Sequence, residues 1–322
     1  MRAVHVVRLD GPEALEVVEA PEPPAADGAV VVDVHAAGVA WPDLLLSRGQ
    51  YQLRPDPPFA PGGEVAGVVR SAPAGSGLEP GQRVAVLTNV GGWQEVVTAP
   101  VDHVLPLPDT VGFDVGAGIA FNYLTVHFGL RRRARLAEGD TVLVHGASGG
   151  IGIATLQLVK AYGARAIAVV STPAKEAAAR EAGADEVVLA DGFLAGVKEL
   201  TGGRGVDVVL DPVGGDRFTD SLRSLAPEGR LLVVGFTGGE IPTVKVNRLL
   251  LKNISVVGVG WGAFLQVEPG YLQEQWAELS ELLASGAVVP VPVQTRPFAE
   301  AAAVLQEMDD RRLTGKVVLT VR

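Results

Sequence analysis

Residues 146–152 contain four glycines in the spacing G-x-x-G-G-x-G, between an apolar run that ends at Val144 and a helical pattern that begins near Ile151. Glycines let the backbone turn sharply and approach a pyrophosphate closely, while free amides and the positive end of the helix dipole bind the anion without a formal charge. The commoner fingerprint is G-x-G-x-x-G, and a glycine-rich turn alone also suits an ordinary tight turn. The position between a strand and a helix makes this turn indicate a dinucleotide-binding site.

The residues after the next predicted strand bear on which dinucleotide binds. NAD enzymes usually place an acid about 20 residues past the glycines, where it binds the ribose hydroxyls. This chain has no acid in residues 171–175, where Ser171, Thr172 and Lys175 instead offer donors for a 2′-phosphate. NADPH is therefore favoured over NADH. The alternative is that Ser171 or Thr172 simply caps the helix that follows.

Cysteine is absent from the chain, which excludes disulfides, thiolate nucleophiles and cysteine-ligated zinc. The five histidines are scattered and lack the short spacings that place metal ligands on one helix face. They are His5, His35, His103, His127 and His145. We expect no metal site.

The formal net charge of −10 repels phosphate backbones and anionic lipids, so neither nucleic acid nor a membrane surface is expected as a partner. Arg8 and Asp10 interrupt the N-terminus before a signal peptide's apolar core. No apolar run reaches the roughly 18 residues that span a bilayer. We therefore expect a cytoplasmic protein.

Two different patterns divide the chain, and its 322 residues suit about two domains of roughly 150 residues each. Up to about residue 110, β-branched runs broken by Gly and Pro predict a β-rich domain, with strands at 29–34, 64–69 and 83–87. From Thr141, strand and helix patterns alternate, which predicts a parallel sheet covered by helices. Strands are expected at 141–145, 166–170, 206–210, 230–235 and 254–260, and helices at 151–162, 174–181 and 270–285. The last three of these apolar runs look buried on both faces, and a last strand at 316–321 could complete the first domain.

Six blocks of this sequence occur in the order found in one known family. They are residues 59–67, 80–84, 91–95, the glycine turn, 207–215 and 314–319. Taken together over nearly the full length, they resemble the zinc-independent quinone oxidoreductases, the zeta-crystallin-like branch of the medium-chain dehydrogenase/reductase superfamily. Zinc-dependent members of that superfamily have a cysteine where this chain has Ala40 and a histidine where it has Gly63.

The resemblance implies an α/β fold, with a doubly wound parallel sheet in a Rossmann domain and a GroES-like β-rich domain. Residues 1–120 would form the GroES-like domain, residues 121–262 the Rossmann domain that binds NADPH, and residues 263–322 would complete the GroES-like domain. Without a Lewis acid to polarise an alcohol, hydride transfer to an electrophilic quinone or enone is the chemistry favoured.

The resemblance also implies a set of cofactor contacts. The pyrophosphate would be bound by Ser148, Gly149, Gly150 and Ile151, and the 2′-phosphate by Ser171 and Lys175. The adenosine or nicotinamide would be bordered by Val213, Phe236 and Val259. Thr125 would lie near the nicotinamide, and Arg311 would make a further contact with the cofactor. Two positions depart from the family pattern, with Ala40 in place of an asparagine and Ala190 in place of a tyrosine. The first departure removes a donor near the nicotinamide, and the second removes a cofactor contact.

A proton donor is needed for an enone, because its α-carbon must be protonated, whereas a reduced quinone takes protons from solvent. The candidate donors are Tyr51, Tyr123 and Asp43. Each could instead have a purely structural role: Tyr51 as a packing residue, Tyr123 in the core of a helix, and Asp43 as a turn or capping residue. Three tryptophans, Trp41, Trp93 and Trp261, could line an aromatic acceptor pocket or belong to the core.

Reduction of a quinone by NADPH is the first hypothesis for the function. Reduction of an α,β-unsaturated carbonyl is the second, and a crystallin-like protein that binds NADPH without catalysis is the third. A homodimer is expected through an exposed edge strand around Gly258, mainly because of the resemblance. The basic residues 131–133 and Arg135 are expected to form a solvated helix end.

Overall fold

The computed structural model describes residues 1–268 and 270–322, which form two compact units. The first unit contains residues 1–121, 272–284 and 292–322. The second unit contains residues 122–271 and 285–291. Each unit has its own sheet and its own apolar core.

The strands, in chain order, are β1 (Arg2–Val6), β2 (Leu15–Glu19), β3 (Ala29–Val39), β4 (Glu64–Ser71), β5 (Arg83–Leu87), β6 (Val96–Pro100), β7 (Val104–Pro106), β8 (Thr141–Val144), β9 (Arg165–Val170), β10 (Glu186–Leu189), β11 (Val206–Asp211), β12 (Leu225–Val233), β13 (Ser255–Gly258), β14 (Gln294–Pro297) and β15 (Val317–Thr320). The helices are α1 (Trp41–Ser47), α2 (Phe113–His127), α3 (Gly150–Ala161), α4 (Glu176–Glu181), α5 (Phe193–Leu200), α6 (Phe218–Ser224), α7 (Asn247–Lys252), α8 (Trp261–Leu265), α9 (Tyr271–Ala284) and α10 (Ala301–Asp309).

In the first unit, strand β3 organises the main sheet, whose strands run in the order β14-β15-β3-β4-β5-β7, with β6 also paired to β3. The C-terminal strand β15 pairs antiparallel with β3, so the end of the chain joins the sheet built by its beginning. Side chains of β3 are buried on both faces because the strand lies inside the sheet. Trp93 belongs to this core and is fully buried, with its indole Nε1 donating to the Gly38 carbonyl at 3.0 Å. It is therefore a core residue.

In the second unit, six parallel strands form a sheet in the order β10-β9-β8-β11-β12-β13. The chain moves outward from β8 to β10 and then returns to start again at β11, beside β8. The strand order therefore reverses between β8 and β11, and in open parallel sheets ligands bind at the carboxyl ends of the strands at such a point. The predicted α/β fold, with a doubly wound parallel sheet and a separate β-rich sheet, is confirmed.

Burial along the parallel sheet follows strand position. Every residue of β11 is buried, because the strand has a neighbour on each side and helices cover the sheet. Strand β13 is only partly buried, so the expectation that the runs 206–210, 230–235 and 254–260 are all buried on both faces is wrong there. The reason is that β13 is the last strand of the sheet and is bonded to β12 on one side.

Residues 289–293, before β14, belong to no helix or strand, and the ladder with β15 begins only at Gln294. Pro290 and Pro292, which precede that ladder, have no N–H group to contribute to it. Within the residues that the structure describes, no helix combines the length and apolar character that crossing a bilayer requires.

Candidate functional site

The glycine turn directly follows β8 and leads into α3. Gly146 has a φ of 60°, in the left-handed region that favours glycine, and its carbonyl accepts the N–H of Gly149 at 2.9 Å. A Cβ on Gly152 would lie 2.3 Å from the Gly146 carbonyl oxygen, so only glycine lets the helix pack this closely on the turn. Gly149 is the N-cap residue, and no side chain caps the helix. The first amides of α3 are thus presented without a side-chain cap, as anion binding requires.

The loop after β11 lies beside the glycine turn. Asp211 shapes this loop, since its Oδ1 accepts the N–H groups of Val213 at 2.8 Å and Gly214 at 3.0 Å. A Cβ on Gly146 would lie 3.4 Å from the Val213 side chain, and one on Gly214 would lie 3.0 Å from the ring of Phe236. The structure therefore brings Val213 and Phe236 to the same end of the sheet as residues 148–151.

Val259 directly follows β13, and its N–H donates to the Val233 carbonyl at 3.0 Å. The side chain is buried and would be 3.5 Å from a Cβ on Gly129. It thus follows the carboxyl end of the last strand in the sheet.

Ser171 and Lys175 follow the carboxyl end of β9. Ser171 is exposed, and the backbone of Val169 just before it accepts the N–H of Ala147 at 3.2 Å, which links this strand end to the glycine turn. Thr172 is the N-cap of the short 3-10 helix Pro173–Lys175, but its side chain makes no capping hydrogen bond. The capping alternative is thus right about the position of Thr172, but no side-chain hydrogen bond accompanies it.

His145 supports the glycine turn from beneath, a role that the sequence did not indicate. It is fully buried, and its Nε2 lies 2.8 Å from Ser221 Oγ. Because the Ser221 hydroxyl donates to the Arg217 carbonyl at 3.0 Å, His145 Nε2 is the donor of the pair. Burial lowers the pKa of His145 to about 4, with the Arg217 charge adding to this effect and Asp211 opposing it.

Asp43 joins two backbone segments of the first unit. It lies in the first turn of α1, is 1% exposed, and accepts the N–H of Ala40 through Oδ2 at 2.8 Å and of Gly62 through Oδ1 at 2.9 Å. Burial raises its pKa to about 7, while these two hydrogen bonds and the charge of Lys316 oppose the shift. Since both oxygens accept backbone donors, the geometry favours the capping role over proton donation.

Tyr51 is half-buried in the loop that follows α1. Burial raises its pKa, and the negative charge of Asp43 adds to the shift. The shift makes the hydroxyl a weaker acid than an ordinary tyrosine, and it stays protonated at neutral pH.

Tyr123 lies in α2, is buried, and donates its hydroxyl to Gln157 Oε1 at 2.6 Å. Gln157 Nε2 donates in turn to the Val289 carbonyl at 2.6 Å. Burial raises the pKa of Tyr123 well above its usual range. This closed set of hydrogen bonds favours the helix-core role for Tyr123. Thr125 lies two residues further along the same helix and is also buried.

A buried ion pair in the first unit was not anticipated from the sequence. Lys316 Nζ lies 2.5 Å from Glu64 Oε1, and Glu64 Oε2 accepts the N–H of Phe121 at 2.7 Å. The sequence feature that could have predicted this pair is the single charged residue within each of two apolar strand patterns, residues 64–69 and 316–321.

The two positions that hold zinc ligands in related enzymes are Ala40 and Gly63 in this chain. No cluster of three or more metal-ligating side chains occurs among residues 1–268 and 270–322.

The remaining predicted residues have varied surroundings. Arg311 follows α10 with a φ of 57°, Trp41 begins α1 and is half-buried, and Trp261 is buried at the start of α8. The expectation of a solvated helix end at residues 131–133 is confirmed, since all three arginines are exposed in the last turn of a helix. Arg132 Nη2 pairs with Glu268 at 2.8 Å, and Arg133 Nε donates to the Gly258 carbonyl at 2.9 Å, because the π-helix Phe128–Arg133 presents these side chains to neighbouring segments.

Comparison with known proteins extends these observations over the whole chain. Residues 26–109 match the family described as alcohol dehydrogenase GroES-like domain, and residues 150–285 match the family described as zinc-binding dehydrogenase. Quinone oxidoreductase-like protein 2 of Rattus norvegicus is 36% identical over 332 residues, which cover 100% of this chain and 92% of the relative.

Solved structures are similar in fold and sequence. A probable oxidoreductase from Mycobacterium abscessus has a TM-score of 0.91 and 45% identity, covering 99% of this chain and 98% of that one. The quinone oxidoreductase of Thermus thermophilus, which was also solved in complex with NADPH, has a TM-score of 0.85 and 35% identity, covering 100% of both chains.

Proposed function

Since the chain belongs to the quinone oxidoreductase family of the medium-chain dehydrogenase/reductase superfamily, we propose that it reduces a quinone with NADPH. The observation that carries this proposal is the uncapped start of α3, placed by a glycine turn at the point where the order of the parallel strands reverses. Relatives named quinone oxidoreductase, and their complexes with NADPH, support the same cofactor and acceptor.

The residues of the second unit fit NADPH. The amides of residues 149–151 and the Ser148 hydroxyl would hold the pyrophosphate, and Ser171 and Lys175 would bind the 2′-phosphate. No acid among residues 171–175 repels that phosphate. Val213, Phe236, Val259 and Thr125 would border the rings. NADPH supplies the hydride when bound, so these residues need only orient it and exclude water.

Zinc does not fit this chain. A structural or catalytic zinc site needs cysteine, histidine or carboxylate ligands, and the chain has no cysteine. Ala40 and Gly63 have no side-chain donor at the two family ligand positions. The proposed reduction therefore uses an acceptor that is already electrophilic.

Reduction of an α,β-unsaturated carbonyl is the second candidate, and Tyr51 is the observation that favours it. Its half-buried hydroxyl is protonated at neutral pH and could donate that proton to an α-carbon. Asp43 supports this region indirectly, by joining the backbone at Ala40 to that at Gly62.

A homodimer built on β13 is also part of the proposal. This strand forms one end of the parallel sheet, and the helix before it carries two exposed leucines, Leu250 at 75% and Leu251 at 79%. A strand at the end of a sheet, beside exposed apolar side chains, suits pairing with a second copy.

Turnover with paired substrates tests the function. Purified protein is mixed with NADPH or NADH and either a small p-benzoquinone or a 2-alkenal, and loss of the reduced nicotinamide absorbance is followed. We expect the quinone with NADPH to give the highest kcat/KM. A higher value with the alkenal would select the second candidate, and NADPH binding without turnover of either acceptor would select a non-catalytic role. No affinity for NADPH would contradict the proposal as a whole.

A further inference from the structure

Asn122 lies against the first residue of the helix that begins at the glycine turn. A Cβ built on Gly150 would lie 2.4 Å from Asn122 Nδ2, 3.3 Å from Cγ and 3.6 Å from Oδ1. The amide nitrogen is thus the side-chain atom nearest to that position. Gly150 is not among the glycines with a positive φ, and the space left by its missing side chain is occupied by the Asn122 amide.

The Asn122 amide is buried without a partner. The residue is 6% exposed, and within the part of the chain that the structure describes its side chain makes no hydrogen bond. Some unpartnered side-chain atoms, such as His145 Nδ1, are completely sealed from solvent, but the amide atoms of Asn122 are not. The amide therefore keeps a small opening through which a ligand atom can reach it. Buried amides are normally hydrogen-bonded, so this largely buried one is suited to donate to a ligand that enters through the opening.

The ligand group that suits the Asn122 amide is a hydrogen-bond acceptor with a negative charge. The Asn122 nitrogen carries two N–H donors, and the uncapped amides of α3 beside it are donors as well. Donors that converge at the positive end of a helix attract an acceptor with negative charge. An apolar group would leave every one of these donors unsatisfied.

We infer that Asn122 donates a hydrogen bond to the pyrophosphate of the bound nucleotide, adding a side-chain donor to the backbone cradle. This inference rests on the proposed NADPH binding and assigns a further residue to the same site. Because hydrogen bonds to charged groups are the stronger ones, losing this donor weakens binding by about ten-fold.

Three ligands measured by calorimetry against the Asn122→Ala variant test the assignment. They are NADPH, 2′-phospho-ADP-ribose, which keeps the pyrophosphate but lacks nicotinamide, and 2′,5′-ADP, which lacks the pyrophosphate. We expect about ten-fold weaker binding of the first two ligands and less than two-fold change for the third. Asn122→Asp should be weaker still, since it places a negative charge beside the phosphates.

A second measurement separates binding from packing. The unfolding midpoint of the ligand-free Asn122→Ala protein should match or exceed that of the wild type, because the variant removes an unsatisfied buried amide. Gln266→Ala, which removes an exposed amide of the same unit, is the control and should bind all three ligands as the wild type does.

The outcomes are distinct. Weakening of NADPH alone would overturn the pyrophosphate contact in favour of one with the nicotinamide end. Equal weakening of all three ligands together with a lower unfolding midpoint would show a packing role and overturn the inference. A wild-type protein that binds none of the ligands would refute the proposed function itself, whereas normal wild-type binding with an unchanged Asn122→Ala variant would refute only the role of Asn122.

Discussion

Glu64 and Lys316 form a buried ion pair, with Oε1 and Nζ 2.5 Å apart, although 252 residues separate them in the sequence. The pair joins β4 to the segment that leads into β15, and the second Glu64 oxygen accepts the N–H of Phe121. One carboxylate thus connects three distant parts of the first unit.

Lys316→Met should destabilise the protein by about 3 kcal/mol, because it leaves the Glu64 charge buried without a counter-ion. The double variant Glu64→Leu with Lys316→Met should recover part of that loss. Denaturant unfolding measures both effects. Arg8→Met, which breaks an exposed pair with Asp10, is the control and should leave the midpoint unchanged. If Lys316→Met behaved like this control, the pair would contribute nothing to stability.

The stability of the second unit should decrease as the pH falls from 6.5 toward 4. His145 has a pKa of about 4 when folded and 6.5 as its ordinary value, so in this window the unfolded chain binds the extra proton and is favoured. Asp43, with its folded pKa raised to about 7 from 3.8, gives a slope of the opposite sign over much of the same range.

The contribution of His145 to this pH dependence is therefore measured by comparing the wild type with a variant that lacks the imidazole. The unfolding midpoint of His145→Asn should depend less on pH between 4 and 6.5 than that of the wild type. Parallel profiles for the wild type and His145→Asn would contradict the assignment.

Lys175→Ala should raise the KM for NADPH by about ten-fold and leave the KM for NADH unchanged, because only NADPH has the 2′-phosphate that the ammonium group would bind. Steady-state kinetics with both nucleotides measures this. Lys198→Ala removes an exposed ammonium from α5 of the same unit and should alter neither value. Equal increases for both nucleotides would mean that Lys175 contacts a part common to them.

Tyr51→Phe should lower kcat for a 2-alkenal by about 100-fold and change kcat for a quinone little, since only the alkenal needs a positioned proton donor. Tyr123→Phe is the informative comparison, because its hydroxyl already donates to Gln157. That variant should lose about 1 kcal/mol of stability and keep its turnover. A loss of alkenal turnover in Tyr123→Phe instead would reverse the two roles.

Leu250→Glu combined with Leu251→Glu should convert a dimer into monomers, because two charges would be buried against the second copy. Light scattering coupled to size-exclusion chromatography gives the molar mass of each protein. Leu189→Glu, at the opposite end of the parallel sheet, is a matched exposed leucine and should leave the dimer intact. A monomeric wild type would refute the dimer proposal directly.

The sequence by itself determined the fold class and the glycine turn. Both depend on short-range patterns: apolar runs alternating with helical periodicity predict parallel strands, and residues 146–152 predict the turn between β8 and α3. An apolar run predicts burial correctly where the strand has a neighbouring strand on each side. Such a run overstated burial at β13, because the position of a strand within its sheet is not encoded in its own residues.

Only the tertiary structure decided which partners each polar side chain has and which role those partners leave it. Asp43 and Tyr123 looked alike in sequence as proton donors, yet both make hydrogen bonds with residues distant in the chain, and burial alters their pKa values. Glu64 with Lys316, and Asn122 with Gly150, likewise meet only after folding. Such pairs join residues far apart along the chain, and the environment that sets their chemistry is made by neighbours that no local pattern specifies.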